Sequence, residues 1–407
     1  MLLIKLGWRN ILRNKKRMLP AVLAIAVGLA AFIAMDALVV GMKENMIVNA
    51  TNTFLGHGQI HAKGFKQTFE ADNIIKDFKK TVSGLNSEEN IKAYTIRTET
   101  VGMLSSALNV ETVIIFGINP ETEKNISQIE TVITKGKFLE KSNQNGLLIG
   151  EELSRLLEAN IGDRIVITVA QAKTGELSQE LFRVSGIFKF STKEMDAKIA
   201  FINLDTSRKL LGIGDNAHEV AFKFNKISDM DDPLLNFWSR YSDSGNEALP
   251  WSELLPGIKA AIAMSSFTTL IMGGLLFAIV ALVVMNTLFM SLFERMQEFG
   301  ILRAIGTRPF RMAAMILSEA GVLCLLGIAA GIVLGVSLTG IVSVTGIDYT
   351  GMEMGSITFR EPIRPVLSLK QVVLFPVCVA FFTLLAAVFP AISAARLTPA
   401  EAMKKRD

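Results

Sequence analysis

Four long apolar stretches constrain this chain more than any other feature. They occupy residues 18–40, 267–293, 312–344 and 372–393. A hydrocarbon core about 30 Å thick is crossed by about 20 helical residues, so each stretch is long enough to span a bilayer. Lys15, Lys16 and Arg17 precede the first, as in a signal peptide. Its apolar run exceeds the roughly 7–15 residues of a cleavable h-region, which predicts an uncleaved anchor. Charged residues still make up 20% of the chain, so a sizeable polar portion lies outside the membrane.

Charge orients the spans. Lys5, Arg9, Arg13, Lys15, Lys16 and Arg17 precede the first with no acid among them. Arg295, Arg303, Arg308 and Arg311 lie between the second and third, and Arg396, Lys404, Lys405 and Arg406 follow the fourth. Segment 41–258 instead carries 24 basic against 29 acidic residues. The positive-inside bias therefore predicts cytoplasmic termini, a cytoplasmic middle loop at 294–311 and an external domain at 41–258. The loop at 345–371 is external and too short for a second domain.

The external segment reads as mixed α and β. Gly58–His61, Val101–Gly117, Gly146–Gly150 and Arg164–Val169 look like strands, and Glu151–Ala159 is helical by its leucine spacing. Lys173, Thr174, Gly175 and Glu176 form the predicted tip of a hairpin that returns through Leu181 to Phe190. Residues 259–266 make a stalk into the second span. In the third, Gly327, Gly331 and Gly335 form a smooth ridge suited either to intramolecular packing or to a subunit interface.

No residue pattern supports catalysis. G-x-x-x-x-G-K-[ST], G-x-S-x-G and H-E-x-x-H are absent from the sequence. Cys324 and Cys378 sit in apolar runs, and no Cys or His cluster accompanies His57 and His61, so no metal and no bound cofactor is expected. The informative segment is Glu294-Arg295-Met296-Gln297-Glu298-Phe299-Gly300-Ile301-Leu302-Arg303-Ala304-Ile305-Gly306-Thr307-Arg308-Pro309. Glu294 and Glu298, like Arg295 and Phe299, are one helical turn apart, giving an ionic edge beside an apolar one. Gly306 and Pro309 then end the helix.

Residues 291–309 resemble the coupling segment of the FtsX/MacB-type ABC permeases, the mechanotransmission transporters. The opening Leu6–Arg17, Ser318-Glu319-Ala320, Pro390–Arg396, Pro399–Met403 and the region Gly146–Val169 are similar to the same family. The resemblance implies a four-span α-helical membrane protein of the bacterial inner membrane, with an amphipathic N-terminal helix at 1–17, a tail at 394–407 and a large α+β periplasmic domain. It implies that Glu294, Arg295, Met296, Glu298, Phe299, Gly300, Arg303 and Gly306 engage a cytoplasmic ABC ATPase dimer. ATP and Mg belong to that partner. A second permease subunit, identical or homologous, and membrane lipid are the other expected neighbours, with no nucleic acid.

Residues Gly56–Phe65 are similar to the lipoprotein-releasing LolC/LolE branch. That similarity implies lipoprotein extraction, with a substrate surface at Phe32, Met35, Asp36, Leu38, Leu270, Ile271 and Leu275. Lys173–Glu176 would meet a periplasmic chaperone or adaptor, although this turn is short and lacks proline. The alternatives are efflux of amphipathic drugs or peptides, and activation of a cell-wall hydrolase or signalling partner without transport.

Overall fold

The computed structural model describes residues 15–190, 193–232, 234–348, 353–354, 357–358 and 362–398. Most of the expected N-terminal helix, and the tail beyond 398, lie outside these. The chain divides into two compact units, one of 1–44, 262–348 and 362–407, the other of 45–261 and 349–361.

The first unit is built from long apolar helices, Lys15–Ala50, Pro256–Glu294, Pro309–Thr345 and Leu369–Arg396. All four are long and apolar enough to cross a membrane. Each outlasts its expected span, and the first continues as a π-helical turn at Thr51–Leu55. Their common core takes Ile25, Leu29, Phe32 and Ile33 from the first helix, with Phe277, Val280, Val284 and Leu288 from the second. Ile316, Ala320 and Leu323 come from the third, and Val379, Ala387 and Ala391 from the fourth. Steps of three and four residues put each set on one helical face.

The glycine ridge packs within the chain. A Cβ at Gly327 would lie 2.6 Å from Ile25, one at Gly331 3.0 Å from the Ala26 carbonyl, and one at Gly335 3.1 Å from the Ala30 Cα. Only hydrogen at these positions lets the first and third helices approach so closely.

The second unit is a mixed α/β domain. Its strands are β1 (Gly58–Ala62), β2 (Ile91–Ser105), β3 (Val110–Ile118), β4 (Ile133–Gly136) and β5 (Gly146–Gly150). Then come β6 (Arg164–Ala170), β7 (Leu177–Phe188), β8 (Ile199–Asn203), β9 (Glu219–Phe224) and β10 (Asn246–Pro250). They form one sheet in the order β10-β1-β9-β2-β3-β8-β5-β7-β4, with β6 between β2 and β7. β3/β8 and β5/β7 are parallel; the other pairs are antiparallel. The chain enters the sheet through β1 directly after the π-helical turn and leaves through β10 just before Pro256. These two strands are paired, Gly58 opposite Pro250.

One apolar core gathers Leu104, Ile115, Ile165, Ile167, Phe182 and Ile202; another is a ring cluster of Phe54, Phe116, Phe188 and Phe201. Val101–Gly117, expected as one strand, is instead the β2/β3 hairpin. Its turn is set by the Ser106 hydroxyl, which accepts from the Leu108 and Asn109 amides at 3.1 and 2.9 Å.

Candidate functional site

The segment 294–311 folds as a sharp break followed by a short helix, Met296–Ala304. Arg295 leaves helical geometry at φ −100°, ψ 13° and becomes the N-cap residue. At the far end Gly306 adopts φ +93°, where a side chain would be strained. The Gly306 and Thr307 amides donate to the Arg303 and Leu302 carbonyls, closing the helix before Pro309 opens the next.

Arg295 ties this helix to its neighbours. Its Nε lies 2.9 Å from Glu298 Oε2 and its Nη1 3.5 Å from Glu319 Oε2 on the third long helix, where the Glu319 side chain is buried. The guanidinium also sits 5.3 Å from the centre of the Phe299 ring.

Phe299 corrects the sequence-based assignment. It is 1% exposed and belongs to the same core cluster as Leu292, Met312 and Ile316. Gly300 is buried as well. Neither is available to an outside partner, because the amphipathic helix turns its aromatic side inward. Met296 and Arg303 are half-buried, and Arg303 donates to the Thr307 carbonyl at 3.2 Å. The outward stripe comprises Glu294, Gln297, Glu298, Ile301, Ala304, Ile305 and Arg308. Ile305 is 74% exposed and the adjoining Phe310 82%.

The residues expected to form a substrate surface separate into two groups. Phe32 is 5% exposed, with its ring 4.5 Å from Phe375 and 5.5 Å from Phe277, so it is part of the helical core and not of a surface. Asp36 accepts a hydrogen bond from the buried Gln371 at 2.8 Å, and Gln371 also caps the fourth long helix with Ser368. Leu38 is half-buried, while Met35, Leu270, Ile271 and Leu275 are exposed.

Within the α/β domain, β6 and β7 form a hairpin whose tip, Lys173–Glu176, is fully exposed. The Gln171 amide donates to the Glu176 carbonyl at 2.9 Å, and the Thr174 hydroxyl to Gln171 Oε1 at 3.2 Å.

The sequence reading missed a buried ionic network in the same domain. Arg97 Nη1 lies 2.6 Å from Glu219, and its Nη2 and Nε lie 2.6 and 3.0 Å from Glu123. Lys66 bridges Glu99 and Glu219 at 2.7 and 3.0 Å. Burial favours the neutral form of Glu219, but Lys66 and Arg97 outweigh it and hold the carboxyl well below its usual range. At Glu99 burial prevails over Lys66 and pushes the pKa up. His61 Nε2 is 3.0 Å from Gln59 Oε1 and 3.6 Å from Glu219, and burial lowers its pKa to about 4. His57 and His218 accept from the Phe224 and Glu99 amides, each at 3.0 Å, which fixes both rings in a structural role. A sequence signal existed: Arg97 and Glu99 alternate in register with Thr95 along the threonine-rich first half of β2.

Comparison with known proteins covers both units. The MacB-like periplasmic core domain model matches residues 19–232, and the FtsX-like permease C-terminal model matches residues 270–399. The lipoprotein-releasing system transmembrane protein LolC of Xylella fastidiosa is 21% identical, over 95% of this chain and 93% of its own. LolE of Haemophilus influenzae is 22% identical over 98% of each. The macrolide export ATP-binding/permease protein MacB of Mannheimia succiniciproducens is 29% identical, over 36% of this chain and 20% of its own length.

Proposed function

The chain belongs to the FtsX-like ABC transporter permeases with a MacB-like periplasmic core domain, and from that premise we propose that it extracts lipoproteins from the outer leaflet of the inner membrane. The observation that carries this reading is the extent of similarity to LolC and LolE, which runs through both units and nearly the full length of each relative. The MacB relative, by contrast, matches over a minor part of its length, so efflux of amphipathic compounds is the second reading.

In this account a separate ATPase hydrolyses ATP on the cytoplasmic side and presses on the outward stripe Gln297, Ile301 and Ile305. The buried Phe299 and the Arg295–Glu319 pair hold the short helix against the third span, so the push is delivered to the bundle instead of being absorbed by a loose loop. The spans carry the movement to the periplasmic domain, where the β6/β7 tip faces a chaperone or adaptor. Exposed Met35, Leu270, Ile271 and Leu275 offer apolar surface to acyl chains, while Asp36, held by Gln371, has a polar edge at the same level of the first helix.

The test is reconstitution of the chain with its ATPase and any second permease subunit in proteoliposomes carrying a triacylated lipoprotein. ATP should release the lipoprotein to a soluble acceptor. ATP-driven export of an amphipathic dye with no lipoprotein release would replace extraction by efflux.

A further inference from the structure

The buried ionic network does more than fill the sheet: its cation reaches the end of the first long helix. Besides its two carboxylate partners, Arg97 Nη2 donates to the Phe54 carbonyl at 2.7 Å, and the guanidinium lies 3.8 Å from the centre of the Phe54 ring. Gln59 Nε2 donates to the Leu55 carbonyl at 3.2 Å, and Lys223 Nζ reaches Asn52 Oδ1 at 2.8 Å. Phe54 and Leu55 belong to the π-helical turn Thr51–Leu55 that terminates the helix. The last carbonyls of a helix have no intrahelical donor and sit at the negative end of its dipole, so a cation there satisfies both needs. Single π turns are rare and concentrate at functional positions.

Arg97 is fully buried, as are Glu123 and Glu219. Burying a charge costs several kcal/mol, and apolar residues of similar volume often do as well or better for stability. What an apolar side chain could not do is join four parts of the chain at once. Arg97 on β2 links the helix end at Phe54, the short helix Pro120–Glu123 and Glu219 on β9 through four hydrogen bonds.

We propose that Arg97 is a positioning residue that clamps the terminal turn of the first span's helix to the sheet of the periplasmic domain, so that helix end and sheet move as one body. This rests on the reading that the chain transmits motion, and it supplies the joint that such transmission needs. Lysine cannot replace arginine here: its single ammonium cannot span Glu123, Glu219 and the Phe54 carbonyl together.

The experiment uses the full chain assembled with its ATPase in nanodiscs, with Cys324 and Cys378 replaced by alanine. Spin labels at Val48, on the helix, and Leu108, at the β2/β3 turn, report the joint; a second pair at Leu108 and Ile227 reports the sheet alone. Two variants are compared, Arg97→Lys and the triple Arg97→Met, Glu123→Gln, Glu219→Gln, which removes one positive and two negative charges and leaves Lys66 paired with Glu99. The wild-type joint distance should be narrow with and without ATP. In both variants the joint distribution should broaden and become nucleotide-dependent while the sheet pair is unchanged. A joint distance as narrow as wild type overturns the proposal; so does equal broadening of the sheet pair, which would make Arg97 a general stabiliser. Neither readout requires lipoprotein, so loss of the extraction reading would leave this result interpretable.

Discussion

Individual residues divide sharply into those legible from sequence and those decided by packing. The Arg295–Glu298 pair follows from i,i+3 spacing, whereas the contact of Arg295 with Glu319, 24 positions away, required the third helix to be in place. Phe299 looked like an anchor for a partner because an aromatic on a short amphipathic helix can face either way; the core took it. His61 gives a residue-level expectation for pH. In the folded chain burial holds its pKa at about 4, while an unfolded imidazole titrates near its ordinary 6.5. The folded state then has its full advantage above pH 6.5 and loses it as pH falls toward 4, by at most roughly 3 kcal/mol. His57, also lowered to about 4 by burial and Lys223, acts in the same direction. Urea unfolding of the full chain in detergent should show the periplasmic domain losing stability across this window, and His61→Gln should flatten the loss. A profile unchanged by His61→Gln would contradict this assignment of the proton.

Among the elements, the spans were plain from hydropathy, but their inward faces were not. A helix that is apolar on every side gives no periodic signal, and here the face was set by shape, through Gly327, Gly331 and Gly335 opposite Ile25, Ala26 and Ala30. Gly331→Leu should therefore push the first and third helices apart and cost about 1–3 kcal/mol, lowering the temperature at which the bundle unfolds in detergent. An unshifted melting curve would mean that the ridge does not carry this contact. Strands were harder to see. The first half of β2, Ile91–Thr100, is rich in polar and charged residues and reads as surface, yet its Thr95, Arg97, Thr98 and Glu99 are buried because their partners arrive from β9 and from the short helices Phe65–Thr68, Pro120–Glu123 and Leu204–Leu211. The alternation of Arg97 with Glu99 is a local trace of this network, but the partners Glu123 and Glu219 are too far along the chain to be paired with Arg97 from the sequence.

At the level of the whole molecule, the four membrane-crossing helices and the separate α/β domain were readable from hydropathy and composition. Basic residues precede the first span, lie between the second and third and follow the fourth, an acidic segment separates the first span from the second, and no phosphate-cradling loop occurs in the sequence. What the sequence did not display were the contacts that fasten the short helix to the third span and the end of the first helix to the sheet. The buried Phe299 and the Arg295–Glu319 pair hold the short helix to the third span, and Arg97 holds the Phe54 carbonyl at the end of the first helix. The central claim is that a separate ATPase grips the outward stripe of the helix Met296–Ala304. Site-specific photo-crosslinking tests it directly, with a photoreactive residue placed at Ile305 in one version of the complex and at Phe299 in another. The account predicts an adduct with the ATPase from position 305 and none from position 299. No adduct from 305, or one from 299 in a chain that still assembles, would contradict it.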